Sequence, residues 1–270
     1  MALLLIAGVG TAAVIWGPGL WGRFGDEVLP SGRCTVTLGD RSDSKSAEQA
    51  NNIAIIVAGS IRDGLPARAA TIAVATAIQE SSLRNIDYGD RDSVGLFQQR
   101  PSQGWGSVEE IMDPYYSTAR FYAGLVEVDG WQELDVTVAA QAVQRSAFPD
   151  AYADHEEEGR LWASALTGYG GDVACDLGDA SITTARAFSE RIAADFGAGT
   201  YEVAVTDVDA ESTEVAIIAG DPRLDDAMQR WAVAVAQASG VTASVREDAA
   251  WTRGEEPSPS EAPAVTLRTE

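Results

Sequence analysis

Histidine, cysteine and lysine are nearly missing from this chain of 270 residues, and these shortages exclude whole classes of site. The one histidine, His155, rules out H-E-x-x-H zinc sites and other sites built from several histidines. A Ser-His-Asp triad would have to use His155, which lies in a charged run typical of an exposed helix face. Two cysteines are too few for a disulfide-rich scaffold and too widely spaced for a C-x-x-C motif. Nothing in the sequence indicates a cofactor or a metal.

Positive charge is also scarce. The chain carries 19 Lys and Arg residues against 41 Asp and Glu residues, which gives a formal net charge of −22. A surface of this sign repels phosphate backbones, so nucleic-acid binding is not expected. The hydrophobic fraction of 46% is enough for a real core, and the length allows one large or two modest domains.

The N-terminal segment, residues 1–22, has no charged side chain and contains a long apolar run. It resembles a membrane anchor or an export signal. The apolar core is short, no basic residue precedes it and no clear cleavage site follows it, so a cleaved signal and a buried core helix remain alternatives. We favour an anchor in the cytoplasmic membrane that leaves the rest of the chain in the cell envelope. In such an oxidising compartment, Cys34 and Cys175 would most simply pair with each other.

Hydrophobic periodicity divides the rest of the chain into two regions. An irregular stretch extends to about residue 44, and helical patterns then fill residues 45–167 without a strand signal. The expected helix starts are Ser46, Pro66, Ser107 with Glu110, Asp113-Pro114, Asp135 and Pro149. Helices and strands alternate over residues 180–254, and the Pro- and Ser-rich residues 255–270 predict a disordered tail. The predicted fold class is α+β, with an all-α domain over residues 34–175 followed by a small α+β module.

Glu80 has the most unusual position among the acidic residues. The helix that starts at Pro66 is apolar on all sides between Arg68 and Glu80, which is typical of a buried helix. A carboxylate therefore ends an apolar stripe. Burial disfavours the ionised form and raises the pKa, as a general acid near neutral pH requires. The alternative is a helix-terminal Glu that simply reaches solvent.

The residues after Glu80 carry a two-part motif. The pair Glu80-Ser81 is followed by a polar loop and then by Gly95-Leu96-Phe97-Gln98. This pattern resembles the lysozyme-like superfamily of soluble lytic transglycosylases and goose-type lysozymes. The stretches D-Y-G-D-R-D-S-V-G-L-F-Q-Q-R and A-A-Q-A-V-Q-R-S-A-F-P-D-A-Y are similar to actinobacterial envelope proteins that carry this domain after a membrane segment. The resemblance covers roughly residues 34–175.

The resemblance implies a role for each matching residue. Glu80 would be the catalytic acid, and Ser81 would support the turn beside it. Gly95 would let the backbone approach the cleft, and Gln98 would hydrogen-bond near the scissile sugar. Tyr152 would stand for a cleft tyrosine. A third family motif, A-Y-N-A-G, is replaced here by A-Q-A-V-Q-R-S at residues 140–146, a departure from the pattern.

The expected reaction is cleavage of the β-1,4 glycosidic bond of peptidoglycan. A single acid is sufficient if the N-acetyl group or 6-hydroxyl of the substrate captures the oxocarbenium-like centre, whereas hydrolysis needs a carboxylate to position water. Asp87, Asp90 and Asp92 are available for that role, and Asp90 and Asp92 are the candidate substrate-binding residues. These aspartates lack the spacing of a calcium loop.

Aromatic and basic residues near the motif suit a glycan that carries peptides. Sugar rings stack on aromatic faces, and the candidates are Tyr88, Phe97, Trp105, Tyr115 and Tyr116. Arg84, Arg91 and Arg100 could bind peptide carboxylates, or form surface ion pairs instead. The rival to an enzyme is a cell-wall-binding or scaffolding protein of weak activity that keeps the lysozyme fold. The sequence does not indicate a protein partner for the C-terminal module.

Overall fold

The computed structural model describes residues 32–146, 150–199, 201–207, 212–246, 249–254 and 263–269. These residues form a mixed α+β fold with two antiparallel sheets, which confirms the predicted overall class, α+β. The region predicted to be all-α, residues 34–175, instead contains one of these sheets. The predicted membrane segment, residues 1–22, lies outside the described residues. Within the described ranges, no helix combines the length and the apolar character needed to cross a bilayer.

A three-stranded sheet closes the two ends of the helical region. Its strands, in the order β2-β1-β3, are β1 (Arg33–Leu38), β2 (Arg41–Ser46) and β3 (Asp172–Asp176). The prediction of an irregular stretch up to residue 44 is therefore wrong. Strand β2 has no apolar residue, so hydrophobic alternation could not reveal it, and it is held by its ladder with β1 and by a 2.7 Å hydrogen bond between Thr35 and Ser44.

The two cysteines lie directly opposite each other in this sheet. Cys34 of β1 pairs with Cys175 of β3 and forms a disulfide with it, as the sequence predicts. Both side chains are buried. The bond joins residues 141 positions apart, and in the chain-entropy model a closed loop of this length stabilises the fold by about 4–5 kcal/mol.

Most of the helices between these strands start where the sequence predicts. They are α1 (Ala47–Arg62), α2 (Ala67–Ser81), α3 (Val108–Ile111), α4 (Pro114–Val126), α5 (Val136–Gln144) and α6 (Glu156–Leu166). Ser46 and Ser107 both form complete capping boxes, and the Asp113 side chain accepts a hydrogen bond from the Tyr115 backbone. The helix predicted from Pro149 begins instead as a 3-10 turn, Ala151–His155, that leads into α6.

Helix α2 occupies the centre of the helical region. It packs against α1, α5 and α6, and every residue from Ala69 to Ile78 is buried. This confirms the prediction of a buried helix. The last turn of α2 leaves this core and carries Glu80, so the packing of three neighbouring helices fixes the position of that carboxyl group.

A five-stranded sheet follows in the second half of the chain. The elements are α7 (Ala185–Phe196), β4 (Glu202–Asp207), β5 (Ser212–Ile218), α8 (Pro222–Ala234), α9 (Ala236–Ser239), β6 (Val241–Val245), β7 (Ala250–Thr252) and β8 (Ala264–Arg268). The sheet order is β4-β5-β8-β6-β7, and α8 contacts β5, β6 and β8. Trp231 and Trp251 are buried in the core of this half of the chain.

Strand β8 corrects the prediction of a disordered tail over residues 255–270. It lies between β5 and β6, and its side chains Val265 and Leu267 are fully buried. The Pro- and Ser-rich composition before β8 suggested disorder for the whole segment. The strand is specified by the alternation of Val265 and Leu267 with polar residues and by two partner strands that are distant in sequence.

Contacts cross the predicted domain boundary at residues 175–180. Asp195 of α7 is fully buried and accepts 2.6 Å hydrogen bonds from Tyr115 of α4 and from Trp231 of α8. Arg191 reaches from the same helix to Asp195 and to Asn51 of α1. Residues 31–270 form one compact unit. The boundary therefore marks a change in composition and not a break in packing.

Candidate active site

Glu80 is followed by a sharp reversal of the chain. Ser82 and Leu83 both have left-handed backbones, with φ of 53° and 60°. Side-chain amides of α1 hold this turn, since Gln49 Nε2 donates to the Ser82 carbonyl and Asn52 Nδ2 to the Leu83 carbonyl, each at 2.8 Å. Helix α1 thus fixes the end of α2 on which Glu80 lies.

The two halves of the sequence motif meet in the structure. Ser81 Oγ donates a buried 2.7 Å hydrogen bond to the Leu96 carbonyl, inside the G-L-F-Q tetrad. The tetrad forms the tip of a tight hairpin closed by a bridge between Val94 and Gln99. Ser81 therefore joins the end of α2 to this hairpin, which agrees with the supporting role that the resemblance implies for it.

Gly95 is required for a different reason from the one expected. Its φ is +80°, and a Cβ at this position would lie 2.8 Å from the Ile111 carbonyl oxygen. Both features exclude a side chain. The close approach is to α3, and Gly95 is not among the residues that line the cavity containing Glu80. The glycine allows the hairpin to pack on α3 instead of opening the cleft.

Two side chains donate to the same oxygen of Glu80. Tyr152 donates from its hydroxyl to Oε1 at 2.6 Å, and Gln144 Nε2 donates to Oε1 at 3.2 Å. Gln144 Nε2 also contacts the Phe97 carbonyl at 2.7 Å, which connects α5 to the tetrad. Neither bond involves Oε2. The carboxyl group is thus oriented through one of its two oxygens.

Burial controls the protonation of Glu80. Removal from water raises the pKa of this carboxyl, and the hydrogen bonds from Tyr152 and Gln144 oppose the shift without cancelling it. Burial likewise raises the pKa of Tyr152, and its hydrogen bond to Glu80 adds to that shift, so the phenol stays a proton donor. A carboxyl with a raised pKa is suited to general acid catalysis.

Glu80 opens into a cavity of about 600 Å³. A second cavity, of about 800 Å³, adjoins it. The two share the lining residues Gln103, Trp105, Gln144 and Arg145. They are adjoining parts of one depression, which we call the groove. The half-buried carboxyl of Glu80 lies in the wall of this groove.

The three loop aspartates differ in their surroundings. Asp90 lines the Glu80 cavity and is exposed. Asp92 accepts hydrogen bonds from Ser102 and from Arg100, which hold its pKa well below the usual range. Asp87 is exposed and does not line the cavity. In the part of the chain that the structure describes, no three His, Cys, Asp or Glu side chains gather as metal ligands would.

Gln98 lines the Glu80 cavity from the hairpin. Its backbone is left-handed, with φ of 48°, and its Nε2 contacts the carbonyls of Gly95 at 3.2 Å and Tyr88 at 3.3 Å. Gly89 lies against this side chain, because a Cβ there would be 1.8 Å from Gln98 Oε1. The side chain is thus held at the cavity wall.

Of the five aromatic candidates, only Trp105 lines the groove, and it belongs to both cavities. Phe97 is fully buried and stacks on Phe121, so it is part of the core. The hydroxyl of Tyr116 donates to the Trp105 carbonyl at 3.1 Å and supports that residue. Tyr115 binds Asp195, as described above, and Tyr88 is exposed.

The sequence missed two residues of the site, Gln144 and Arg145. Both belong to the A-Q-A-V-Q-R-S segment, in which the sequence alone shows only a departure from the family motif. Gln144 takes part in holding Glu80, and Arg145 ends α5 with a left-handed φ of 54° and lines both cavities. The segment occupies the place of the third family motif, and this position could have pointed to the site. Its residue types do not indicate which residues they contact.

His155, expected on an exposed helix face, is half-buried beside α2. Its Nε2 lies 3.1 Å from Gln79 Oε1, and its Nδ1 lies 3.5 Å from Glu158 Oε1. Glu158 in turn pairs with Lys45. These contacts join the start of α6 to α2 and to strand β2.

Comparison of the chain with protein-family models gives no match, and comparison with curated proteins gives no match either.

Proposed function

We propose that this protein is a peptidoglycan-cleaving glycosidase of the lytic transglycosylase or lysozyme type, with Glu80 as its general acid. The observation that carries the proposal is the environment of Glu80. A carboxyl with a pKa raised by burial projects from the end of a buried helix into a groove and is oriented through one oxygen only. The motif resemblance supplies the substrate class.

The first chemical step is proton transfer from Glu80 to the glycosidic oxygen of the leaving sugar. Tyr152 and Gln144 hold Oε1, so Oε2 is the oxygen that delivers the proton. As the bond breaks, the carboxyl becomes a carboxylate, and the same two donors stabilise the charge that forms. The arrangement therefore supports both protonation states of the catalytic cycle.

The second step has two routes. In the transglycosylase route the 6-hydroxyl of the substrate attacks the oxocarbenium-like centre, Glu80 takes up its proton, and a 1,6-anhydro end is formed. In the hydrolytic route water attacks instead. Asp90 is the loop aspartate best placed to position that water, since it lines the same cavity as Glu80, whereas Asp92 is engaged by Ser102 and Arg100.

The finer architecture belongs to the same proposal. The helical region from α1 to α6 is the lysozyme-like catalytic part, and the elements after β3 form an accessory α+β part packed against it. Residues 1–22 anchor the protein in the cytoplasmic membrane, and the remainder acts on glycan strands in the cell envelope. A disulfide between Cys34 and Cys175 is compatible with that oxidising location.

The test is incubation of the full-length protein with purified peptidoglycan, with mass spectrometry of the released fragments. Glu80→Gln is expected to reduce the rate by about 100- to 10,000-fold. Glu48→Gln, an exposed substitution of the same kind on α1, is the matched control and is expected to keep the rate. Anhydro ends indicate the transglycosylase route, and reducing ends indicate hydrolysis.

The opposite result would support the rival function. If the wild-type protein releases no fragments yet binds the wall, and Glu80→Gln binds equally well, the protein is a cell-wall-binding or scaffolding protein. Equal release by the wild type and by Glu80→Gln would remove Glu80 from the mechanism.

A further inference from the structure

The groove gathers arginines in a protein that is otherwise strongly acidic. Its lining contains Arg91, Arg100, Arg120 and Arg145. The acidic residues of the same lining are Glu80, Asp90 and Glu127. In the whole chain, acidic residues outnumber basic ones by 41 to 19. In the lining of the groove, basic residues outnumber acidic ones. A local excess of positive charge attracts an anionic ligand.

The four arginines are not equally available to a ligand. Arg100 Nε binds Asp92 at 2.7 Å, and Arg91 lies 3.8 Å from Asp90. Arg120 makes one long contact, 3.4 Å, to the Gly104 carbonyl. Arg145 is exposed, and its side chain makes no hydrogen bond or ion pair with any residue in the described ranges. Within the described ranges, the guanidinium groups of the groove that have no acidic partner are therefore those of Arg145 and Arg120.

The position of Arg145 relates it to the catalytic acid. It directly follows Gln144, which holds Glu80, and it lines both cavities. Its left-handed backbone is a conformation that non-glycine residues seldom adopt, and such conformations concentrate at functional sites. Arg120 lines the second cavity only, so the two arginines extend from the cavity that contains Glu80 into the adjoining one.

We propose that Arg145, assisted by Arg120, binds carboxylates of the peptides attached to the glycan strand, and so determines specificity for peptide-bearing over uncharged strands. The proposal rests on the function proposed above. Sugar rings carry no charge, so a guanidinium can donate hydrogen bonds to them but cannot form an ion pair with them. A planar guanidinium pairs with a carboxylate through two parallel hydrogen bonds, so the peptide branches are the part of the substrate that these residues fit.

The test compares two forms of the same glycan strands, both with their free amines acetylated. In one form the peptide carboxylates are intact, and in the other they are converted to neutral amides. Cleavage is measured with the wild-type protein, and binding is measured with Glu80→Gln. We expect the kcat/KM of the wild type to be about tenfold higher on the carboxylate form, because its KM is lower on that form. We expect Glu80→Gln to bind the carboxylate form about tenfold more tightly than the amidated form.

The variant Arg145→Gln is expected to lose this preference in both assays, so its kcat/KM and its binding should fall more on the carboxylate form than on the amidated form. Arg84→Gln is the matched control, because Arg84 is exposed near the same loop and does not line the groove. It is expected to keep the preference.

Two failures are distinguishable. The inference is overturned if the wild type shows equal kcat/KM and Glu80→Gln shows equal binding for the two forms. It is also overturned if Arg145→Gln loses kcat/KM equally on both forms. Neither result contradicts the proposed glycosidase activity. If no strand is cleaved but binding still depends on the carboxylates and on Arg145, the glycosidase proposal fails and the recognition of peptide carboxylates stands.

Discussion

Tyr152 donates a 2.6 Å hydrogen bond from its hydroxyl to Oε1 of Glu80, although 72 residues separate the two in the chain. The phenol comes from the 3-10 turn before α6, and the carboxyl comes from the end of α2. Because the pKa of Tyr152 is raised, this group donates in both protonation states of Glu80. The contact therefore orients the acid and limits the rise in its pKa.

Replacing Tyr152 with Phe is expected to raise the pKa of Glu80 further, because the lost hydrogen bond favours the ionised carboxylate. The limb of the pH–rate profile on which activity falls with rising pH should move to higher pH. The free energy of unfolding should fall by about 1 kcal/mol. Tyr122→Phe is the control, since Tyr122 is equally buried and donates to the Ile56 carbonyl instead. A limb that stays in place or moves to lower pH in Tyr152→Phe contradicts the assignment.

Glu80→Gln is expected to change the pH dependence of stability. Because the folded-state pKa of Glu80 is raised, its favourable contribution is complete below the unfolded-state pKa and is lost as pH rises through the folded-state pKa. Gln does not titrate, so the melting temperature of the variant relative to the wild type should be higher at pH 7 than at pH 4, by on the order of a few °C. Thermal unfolding at both pH values measures this. A relative melting temperature that is the same at pH 4 and pH 7 would show that Glu80 is not destabilised by burial.

Ser81→Ala is expected to lower both stability and activity. It leaves the buried Leu96 carbonyl without the Ser81 hydroxyl, at a cost of about 1–3 kcal/mol, and it releases the hairpin that carries Gln98. Ser60→Ala is the control, because the Ser60 hydroxyl is also buried but donates within its own helix, to the Val57 carbonyl. Denaturant unfolding and kcat/KM should be measured for both. Full activity in Ser81→Ala would mean that the hairpin is positioned by other contacts.

Leu267→Ala tests the C-terminal strand. Leu267 is fully buried in β8, and its truncation should lower the free energy of unfolding by about 2–5 kcal/mol. Thr266→Ala, on the more exposed face of the same strand, should have an effect below about 1 kcal/mol. Chemical denaturation measures both. If both substitutions lower the free energy of unfolding by the same small amount, residues 263–269 do not form a buried strand and the predicted disordered tail is supported.

Much of the helical framework could be predicted from local pattern. The caps at Ser46, Ser107 and Asp113 need only residues within three positions, and an uninterrupted apolar run is enough to mark α2 as buried. Strand β2 could not be predicted, because its six residues are all polar and it forms only by pairing with β1. A strand without hydrophobic alternation leaves no periodic signal.

The candidate site was predictable in outline only. The motif singled out Glu80, Ser81, Gln98 and Tyr152, and the structure gathers these residues around one hairpin and one cavity. It assigns Gly95 to packing on Ile111. Gln144 needed the structure, because a glutamine on an amphipathic helix has no local feature that shows whether it faces solvent or a buried acid.

The sequence by itself determined the net negative charge, the capped starts of α1, α3 and α4, and the burial of α2, because these depend on composition and on contacts between near neighbours in the chain. Tertiary structure alone decided that Tyr152 and Gln144 meet Glu80, that Arg145 lines the groove, and that β8 lies between β5 and β6. Each of these joins segments that are dozens of residues apart. Their position follows from how whole helices and strands pack, which no short stretch of sequence encodes.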